Sequence, residues 1–334
     1  MQFNLTTTWI PFWCVVIIAV NISTVVDAWS TFPSLRFSSD GVKDVQPPLP
    51  LQVLVTGAAG RTGRLVFDLL QKDDRFHSLA LVRSEKSGKT FVKTMGCGLD
   101  QVIVCDVVND LVVDNPPQGL ENTDCMIICT SAVPVLSKRS LIQALLKAPF
   151  QIVQGKKAID FRSFRFKFKN GQYPEIVDYK GQIAQIDLAK KLGVKRVVIV
   201  SSMGGTDPEN FLNKVGKNPD GSGNGDILLW KRKAERYLVN SGLAYTIIHP
   251  GGLIDTDPGV EEIVLDVDDK LLKNVKRSIS RADVAALCVA SLMMTENVSF
   301  DCVTRALPPG EIPKSAQESL SEFLKTNQTA NYSL

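Results

Sequence analysis

Apolar residues fall into two rhythms along this chain. Leu51 to Thr56 (LQVLVT) is a nearly continuous apolar run. Similar short runs recur at Leu79 to Val82, Val102 to Cys105, Cys125 to Ile128, Val197 to Val200 and Tyr245 to Ile248. Runs rich in Val and Ile that do not alternate predict strands covered on both faces, and so a parallel sheet between two layers of helices. Between these runs the spacing turns helical. Leu65, Val66, Leu69 and Leu70 share one face after the first strand, and helical patterns follow at residues 176–192, 226–241 and 281–293. The alternation predicts an α/β fold with a doubly wound sheet, without internal repeats and without a second core-sized domain.

The junction between the first strand and the first helix carries the strongest chemical signal. It reads Gly57-Ala-Ala59-Gly60-Arg61-Thr62-Gly63, a GxxGxxG loop set between strand and helix. Each glycine has a task there: a tight turn, close approach of the backbone to a pyrophosphate, and close packing of helix on strand. The helix start that follows offers free N–H groups and a partial positive charge to phosphates. This is the arrangement of a Rossmann dinucleotide site. At the end of the second strand, where a carboxylate would serve the ribose hydroxyls of NAD, the chain has Val82-Arg83-Ser84. A guanidinium and a hydroxyl suit a 2′-phosphate, so the expected cofactor is NADP(H), with Arg61 able to join Arg83. The bland alternative makes Arg83 a solvated surface residue. By topology, Asp106 and Val107 fall at the adenine edge, and Thr130, Ser131 and Ala132 fall where the chain passes under the nicotinamide ribose.

Further stretches carry a resemblance to a known family. Val53 to Gly63 with Val82-Arg83, VDYKGQ at 177–182, IDLAKKLGVKRVVIVSSMGG at 186–205, KRKAERYL at 231–238, IIHPGGL at 247–253 and SRADVA at 280–285 are similar to the atypical short-chain dehydrogenase/reductases of the NAD(P)H-binding, NmrA-like group. The resemblance spans residues 51–325. It is strongest to plant and algal plastid-type proteins that share the GQYPE, SSMGGT and WKRKAE stretches, whose role is poorly defined. It implies a Rossmann domain with a small C-terminal substrate lobe built from insertions.

It also implies a catalytic arrangement from which this chain departs. In catalytic branches of the family a Tyr and a Lys lie four apart on the helix after the fifth strand. The Lys lowers the Tyr pKa and holds the nicotinamide ribose. Here Lys231 takes the Lys position and Ile227 stands where the Tyr would be. The assisting hydroxyl falls at Ser202 or, with a one-residue register change, at Met203. Asp178 replaces an Asn. Lys231 and Ser202 are the catalytic candidates, Lys231 being equally readable as an exposed helix lysine. Pro250, Gly251 and Gly252 correspond to backbone groups that bind the nicotinamide carboxamide in relatives. His249, beside them, replaces an Arg and reads mainly as a structural residue, since no partner for it is visible in the sequence.

Composition narrows the chemistry further. The 334 residues are 44% hydrophobic and 22% charged, with net charge +3 and no nucleic-acid-type basic block, so nucleic acid is not an expected partner. His77 and His249 are the chain's two histidines, too few for a three-His zinc site and outside any triad motif, so no metal is expected. Residues 9–20 (WIPFWCVVIIAV) are dense in apolar side chains but short of a membrane span, and Val26-Asp27-Ala28 resembles a cleavage site. The expected domains are a signal peptide at 1–28, a transit-like leader at 29–50, the folded body at 51–325 and a tail at 326–334. That pairing points to a plastid, with secretion or anchoring by residues 9–26 as the rival and no membrane span in the mature protein. Cys105, Cys125, Cys129 and Cys288 sit in apolar or helical patterns and read as buried, inert thiols. Residues 155–169 (GKKAIDFRSFRFKFK) alternate aromatic and basic residues as a strand with one apolar face, serving as a flap, a surface for an acidic ligand or partner, or a charged edge. Two functions compete on these grounds. One is an NADPH-dependent reductase of an unidentified hydrophobic or conjugated small molecule. The other is a non-catalytic NADP(H)-binding redox sensor or assembly factor with a plastid protein partner.

Overall fold

The computed structural model describes residues 50–137, 166–169, 171–218 and 220–333, with 140, 142 and 146. The signal peptide expected over 1–28, all of the leader expected over 29–50 but Pro50, and most of the basic aromatic segment, 155–165, lie outside them. The main sheet has eight strands: β1 (Leu51–Thr56), β2 (Phe76–Val82), β3 (Val102–Val104), β4 (Cys125–Ile128), β5 (Arg196–Val200), β6 (Tyr245–Pro250), β7 (Glu262–Asp266) and β8 (Val298–Arg305). Their order across the sheet is β7-β8-β6-β5-β4-β1-β2-β3. Every neighbouring pair is parallel except β7 with β8 at one edge. The order reverses beside β1, between β4 and β2, and a doubly wound sheet opens a crevice for ligands at such a point, outside the carboxyl ends of the strands.

The helices that cover the sheet are α1 (Arg61–Gln71), α2 (Glu85–Met95), α3 (Gly181–Leu192), α4 (Ile227–Val239), α5 (Arg281–Ala290) and α6 (Ala316–Leu324). Alternate residues of each strand feed opposite faces of the sheet. Val53 and Val55 pack with Val66, Phe67, Val284 and Leu320 on one side, whereas Leu54 packs with Met126, Ile186, Leu188 and Leu238 on the other. Both faces are buried, which is why the strands read as unbroken apolar runs. Residues Leu49–Leu334 cluster as one compact unit, and among the described residues no helix is long and apolar enough to cross a membrane.

Several elements differ from the pattern-based expectation. β2 begins at Phe76, three residues earlier than the apolar run, because His77 and Ser78 continue the ladder with Gln52 and Val53. α2 lacks a strong apolar stripe; it is set instead by a capping box, in which Ser84 Oγ accepts from the Ser87 N–H and Ser87 Oγ accepts from the Ser84 N–H. The helix expected from residue 176 is two pieces, a π-helical turn at Glu175–Lys180 followed by α3. The 281–293 pattern divides into α5 and a short 3₁₀ turn at Ser291–Met293. β7, β8 and α6 were not read from the sequence at all. Two small ribbons complete the fold. Gly252–Ile254 pairs in parallel with Ser278–Ser280, and Val135–Leu136 pairs antiparallel with Phe166–Lys167, the described end of the basic aromatic segment.

Three of the four thiols expected to be buried are so, and Cys129 is only partly buried. Cys105, Cys125, Cys288 and Cys302 are buried and free. Burial pushes the Cys105 and Cys125 thiols up to about 11 and Cys129 to about 12, and raises Cys288 and Cys302 well above the ordinary thiol range.

Candidate functional site

β1 ends at the tightest contact in the site. Gly57 has φ +66°, and a Cβ there would lie 2.9 Å from the Cys129 carbonyl carbon and the Thr130 nitrogen. A Cβ on Gly63 would lie 2.4 Å from the Gly57 carbonyl oxygen. The loop therefore folds back on itself in a way only glycine permits, closed by the Gly60 N–H donating to Gly57 O at 2.8 Å. Gly60 is the N-cap of α1 without a side-chain cap, and the first turn of α1 holds no acidic residue. The helix start is thus left with unneutralised N–H groups.

Above this loop lies a cleft of about 510 Å³. The expected cofactor-binding residues Gly57, Ala59, Gly60, Arg61, Thr62, Arg83, Asp106, Val107, Thr130, Ser131 and Ala132 all line it, whereas Gly63 is buried beneath as the loop's packing glycine. Leu253 and Arg281 line it as well and were not read from the sequence. At the β2 end Arg83 is exposed to the cleft and donates to Gln172 Oε1. Ser84, beside it, spends its hydroxyl on the α2 cap. The Asp106 carboxylate turns into its own loop, accepting from the Val108 N–H at 3.0 Å and from Asn109 Nδ2 at 3.0 Å, which leaves Val107 and Val108 as the apolar wall. Gly181 lets the start of α3 approach that wall, since a Cβ there would lie 3.4 Å from Val108 Cγ2.

At the β4 end a buried set of polar groups stands behind the cleft. The π-helical turn carries Asp178 inward, fully buried. Its Oδ1 accepts from Ser131 Oγ at 2.7 Å and pairs with Lys231 Nζ at 2.8 Å, and its Oδ2 accepts from the Ala132 N–H at 3.0 Å. Lys231 is consequently buried, not the exposed helix lysine that the sequence equally allowed. It does not line the cleft; it reaches it through Asp178 and Ser131. The Ser131 hydrogen points to Asp178, so the oxygen presents lone pairs to the cleft and acts there as an acceptor. Thr130 Oγ1 accepts from Gln185 Nε2 at 3.1 Å. π-turns recur where a helix must re-aim a functional side chain, and here the side chain is Asp178.

Besides Lys231 and Gly63, four expected site residues are not brought to this cleft. Ser202 opens instead onto a small separate pocket with Arg232, His249, Asp269 and Asp301, and its hydroxyl lies 3.2 Å from the Met203 carbonyl. The backbone groups of Pro250, Gly251 and Gly252 are already engaged. Pro250 O accepts from the Met203 N–H, the Gly251 N–H donates to Cys302 O and the Gly252 N–H donates to Arg277 O. The next residue, Leu253, is the one that reaches the cleft.

His249 has the partners that the sequence hid. Its ring nitrogens lie 3.2 Å from Glu235 Oε2 and 3.2 Å from Asp301 Oδ1, all three side chains being buried. His249 and Asp301 face each other across β6 and β8, a pairing that only the unrecognised strand β8 could disclose. Burial would lower the imidazole pKa, but the Glu235 charge and hydrogen bonds to Asp301 and Glu235 raise it to about 9. Burial would raise Glu235, but His249, Ser201 and Arg232 together bring it down to about 2. The expected tail closes over this cluster. Arg232 stacks 3.9 Å from the Tyr332 ring centre and donates to Asn331 O, Tyr332 Oη lies 2.8 Å from Ser299 Oγ, and the Ala330 N–H donates to Ser299 O at 2.9 Å.

A glycine loop that only glycine can build, an uncapped helix start and a cleft at the sheet's switch point define a dinucleotide-binding Rossmann protein. The family model described as NAD(P)H-binding matches residues 57–295, and the chain belongs to that family. It is 40% identical over 282 residues to sanguinarine reductase of Eschscholzia californica, covering 81% of this chain and 96% of the relative. It is 41% identical over 261 residues to an uncharacterised chloroplastic protein of Arabidopsis thaliana, covering 78% of this chain and 70% of that one. Among solved structures, a putative NAD-dependent epimerase/dehydratase from Bacillus halodurans has the same fold, with a TM-score of 0.55 at 21% identity over 81% of this chain and 99% of that one.

Proposed function

We propose that this chain is an NADPH-dependent reductase of a hydrophobic or conjugated small molecule. The observation that carries the reading is the cleft at the switch point, whose cradle is closed to any residue but glycine at Gly57 and Gly63. The 40% identity to sanguinarine reductase over nearly all of that relative supports the reductase assignment. NADPH is favoured over NADH because Arg83, and no carboxylate, stands at the end of β2 within the cleft. When bound, NADPH would supply the hydride. The glycine loop and α1 would hold the phosphates, and Val107 and Val108 would meet the adenine. Ser131 would accept a hydrogen bond from a ribose hydroxyl, and the buried pair of Lys231 with Asp178 fixes the direction of the Ser131 hydrogen. Lys231 is in this sense a positioning residue, and Ser202, in its separate pocket, has no part in hydride transfer.

No Tyr, His or Lys is among the described residues lining the cleft. The reading therefore favours substrates whose reduced form needs no proton from the protein, taking it from water or not requiring one. Apolar walls at Val133, Pro134 and Val177 suit a flat, conjugated ring system. The chloroplastic relative supports a plastid location for this chain.

A single-turnover experiment tests the reading. The protein is loaded with NADPH and offered sanguinarine, quinones, flavins, tetrapyrroles and aldehydes while nicotinamide absorbance is followed. At least one conjugated acceptor is expected to discharge the cofactor. Tight NADPH binding with no oxidation above buffer by any acceptor overturns the reductase and leaves the non-catalytic binding protein.

A further inference from the structure

Arg61 and Arg281 are each the first residue of a helix, α1 and α5, and the two helices pack together. Both guanidinium groups line the cleft beside the glycine loop, and both reach the same carboxylate. Arg61 Nη1 lies 3.0 Å from Asp255 Oδ2, and Arg281 Nη1 lies 2.6 Å from Asp255 Oδ1. The register of the small parallel ribbon makes this meeting unavoidable. Ser280 pairs with Ile254, so Arg281 and Asp255 each follow directly from paired residues.

The three partners are not alike in burial. The Arg281 side chain is 9% exposed, whereas Asp255 and Arg61 are 63% and 64% exposed. An ion pair between two exposed side chains contributes little, and Asp255 can leave Arg61 at small cost. Arg281 cannot be left alone, because a buried guanidinium without a counter-charge is strongly unfavourable. Some anion must therefore stand at this point in every state of the protein. α5 is already capped by Ser280 Oγ, which accepts from the Ala282 N–H at 3.1 Å. α1 has no cap of its own. The clamp thus adjoins the one helix start in the site that still lacks an anion.

We propose that Asp255 is a built-in competitor for the diphosphate of the dinucleotide. In the free protein it occupies the Arg61–Arg281 clamp, and the cofactor's diphosphate displaces it and takes over both arginines. The inference rests on the dinucleotide-binding reading above and adds to it two phosphate ligands and a residue that opposes them. Its consequence is a cofactor that binds less tightly than its charged contacts would allow, and leaves more readily, because a replacement anion is tethered beside it.

The test is Asp255→Asn in the full chain, with dissociation constants for NADPH, NADH and adenosine 2′-monophosphate measured by calorimetry. Both dinucleotides are expected to tighten by a similar factor of about three to ten, while the mononucleotide, which has no diphosphate, is unchanged. Arg61→Gln, at an exposed position, and Arg281→Gln should each weaken both dinucleotides; if the Arg281 variant fails to fold, the Arg61 variant carries this arm alone. Weaker or unaltered dinucleotide binding in Asp255→Asn overturns the proposal, since Asp255 would then organise the arginines or be irrelevant to them. Tightening of NADPH and adenosine 2′-monophosphate without NADH also overturns it, by assigning the clamp to the 2′-phosphate. In those outcomes the dinucleotide reading stands. A wild-type chain that binds neither dinucleotide refutes that reading itself.

Discussion

The two ends of the sheet treat charge in opposite ways. Around the carboxyl ends of β1, β2 and β4, Arg61 and Arg83 are exposed, α1 is uncapped, and the cleft is open. Beside β5, β6 and β8, Glu235, His249, Asp301 and Arg232 are buried against one another and covered by residues 329–332. Both regions are polar, but only one retains unspent donors. Polar groups whose partners are internal hold the fold, whereas groups whose partners are solvent or an easily displaced carboxylate are available to a ligand. Counting titratable residues does not separate the two cases, and asking where each hydrogen bond goes does.

The largest effect that can break this comparison comes from the sealed end. Glu235→Gln leaves His249 and Arg232 short of a buried counter-charge, and should cost about 3–5 kcal/mol of stability, read as a fall in the denaturation midpoint. NADPH affinity of the folded fraction should be nearly unchanged. A variant with wild-type stability and lost cofactor binding would mean that the sealed cluster belongs to the site.

The second effect is at the open end. Arg83→Asp should weaken NADPH about tenfold or more, roughly 1.4 kcal/mol, with a much smaller loss for NADH and no change in stability. Equal losses for both cofactors would remove the 2′-phosphate from Arg83.

The third effect is in pH. The folded His249 holds its proton more tightly than its ordinary value of 6.5, at about 9. The stability it contributes is complete below pH 6.5 and is lost as pH rises through 9. Glu235, lowered from 4.5 to about 2, contributes stability that is present above pH 4.5 and lost as pH falls towards 2. Thermal denaturation across pH 6.5–9 should show a decline in the wild type that His249→Gln flattens; parallel slopes in the two proteins would place the titration elsewhere.

The open end was largely legible in the sequence because its chemistry is local. Gly57, Gly60 and Gly63 act within a short strand-loop-helix unit, Arg83 stands at the end of the next strand, and their spacing carries the geometry. The sealed end was not. Glu235, His249 and Asp301 come from α4, β6 and β8, and β8 went unread, so a histidine with two carboxylate partners looked partnerless. The same limit left Lys231 open between a ribose contact and an exposed helix lysine. Its burial follows from a π-turn that aims Asp178 at it, and a π-turn has no distinct periodicity over so few residues. Ser202 and Pro250 to Gly252 were placed by analogy at strand ends. The structure shows that a strand's last residues can face away from the crevice, or spend their backbone groups on a neighbouring ribbon.

The thiols have a consequence for handling the protein. Cys105, Cys125, Cys129, Cys288 and Cys302 are held as neutral S–H by burial, and the thiolate is the form that alkylating reagents and peroxides attack. These five thiols are in this respect unreactive in the folded protein. Because Cys125, Cys288 and Cys302 are spread over β4, α5 and β8, each is a dormant label within a different part of the fold. The rate at which a small alkylating agent marks them one by one would time the opening of each part separately, without any engineered probe.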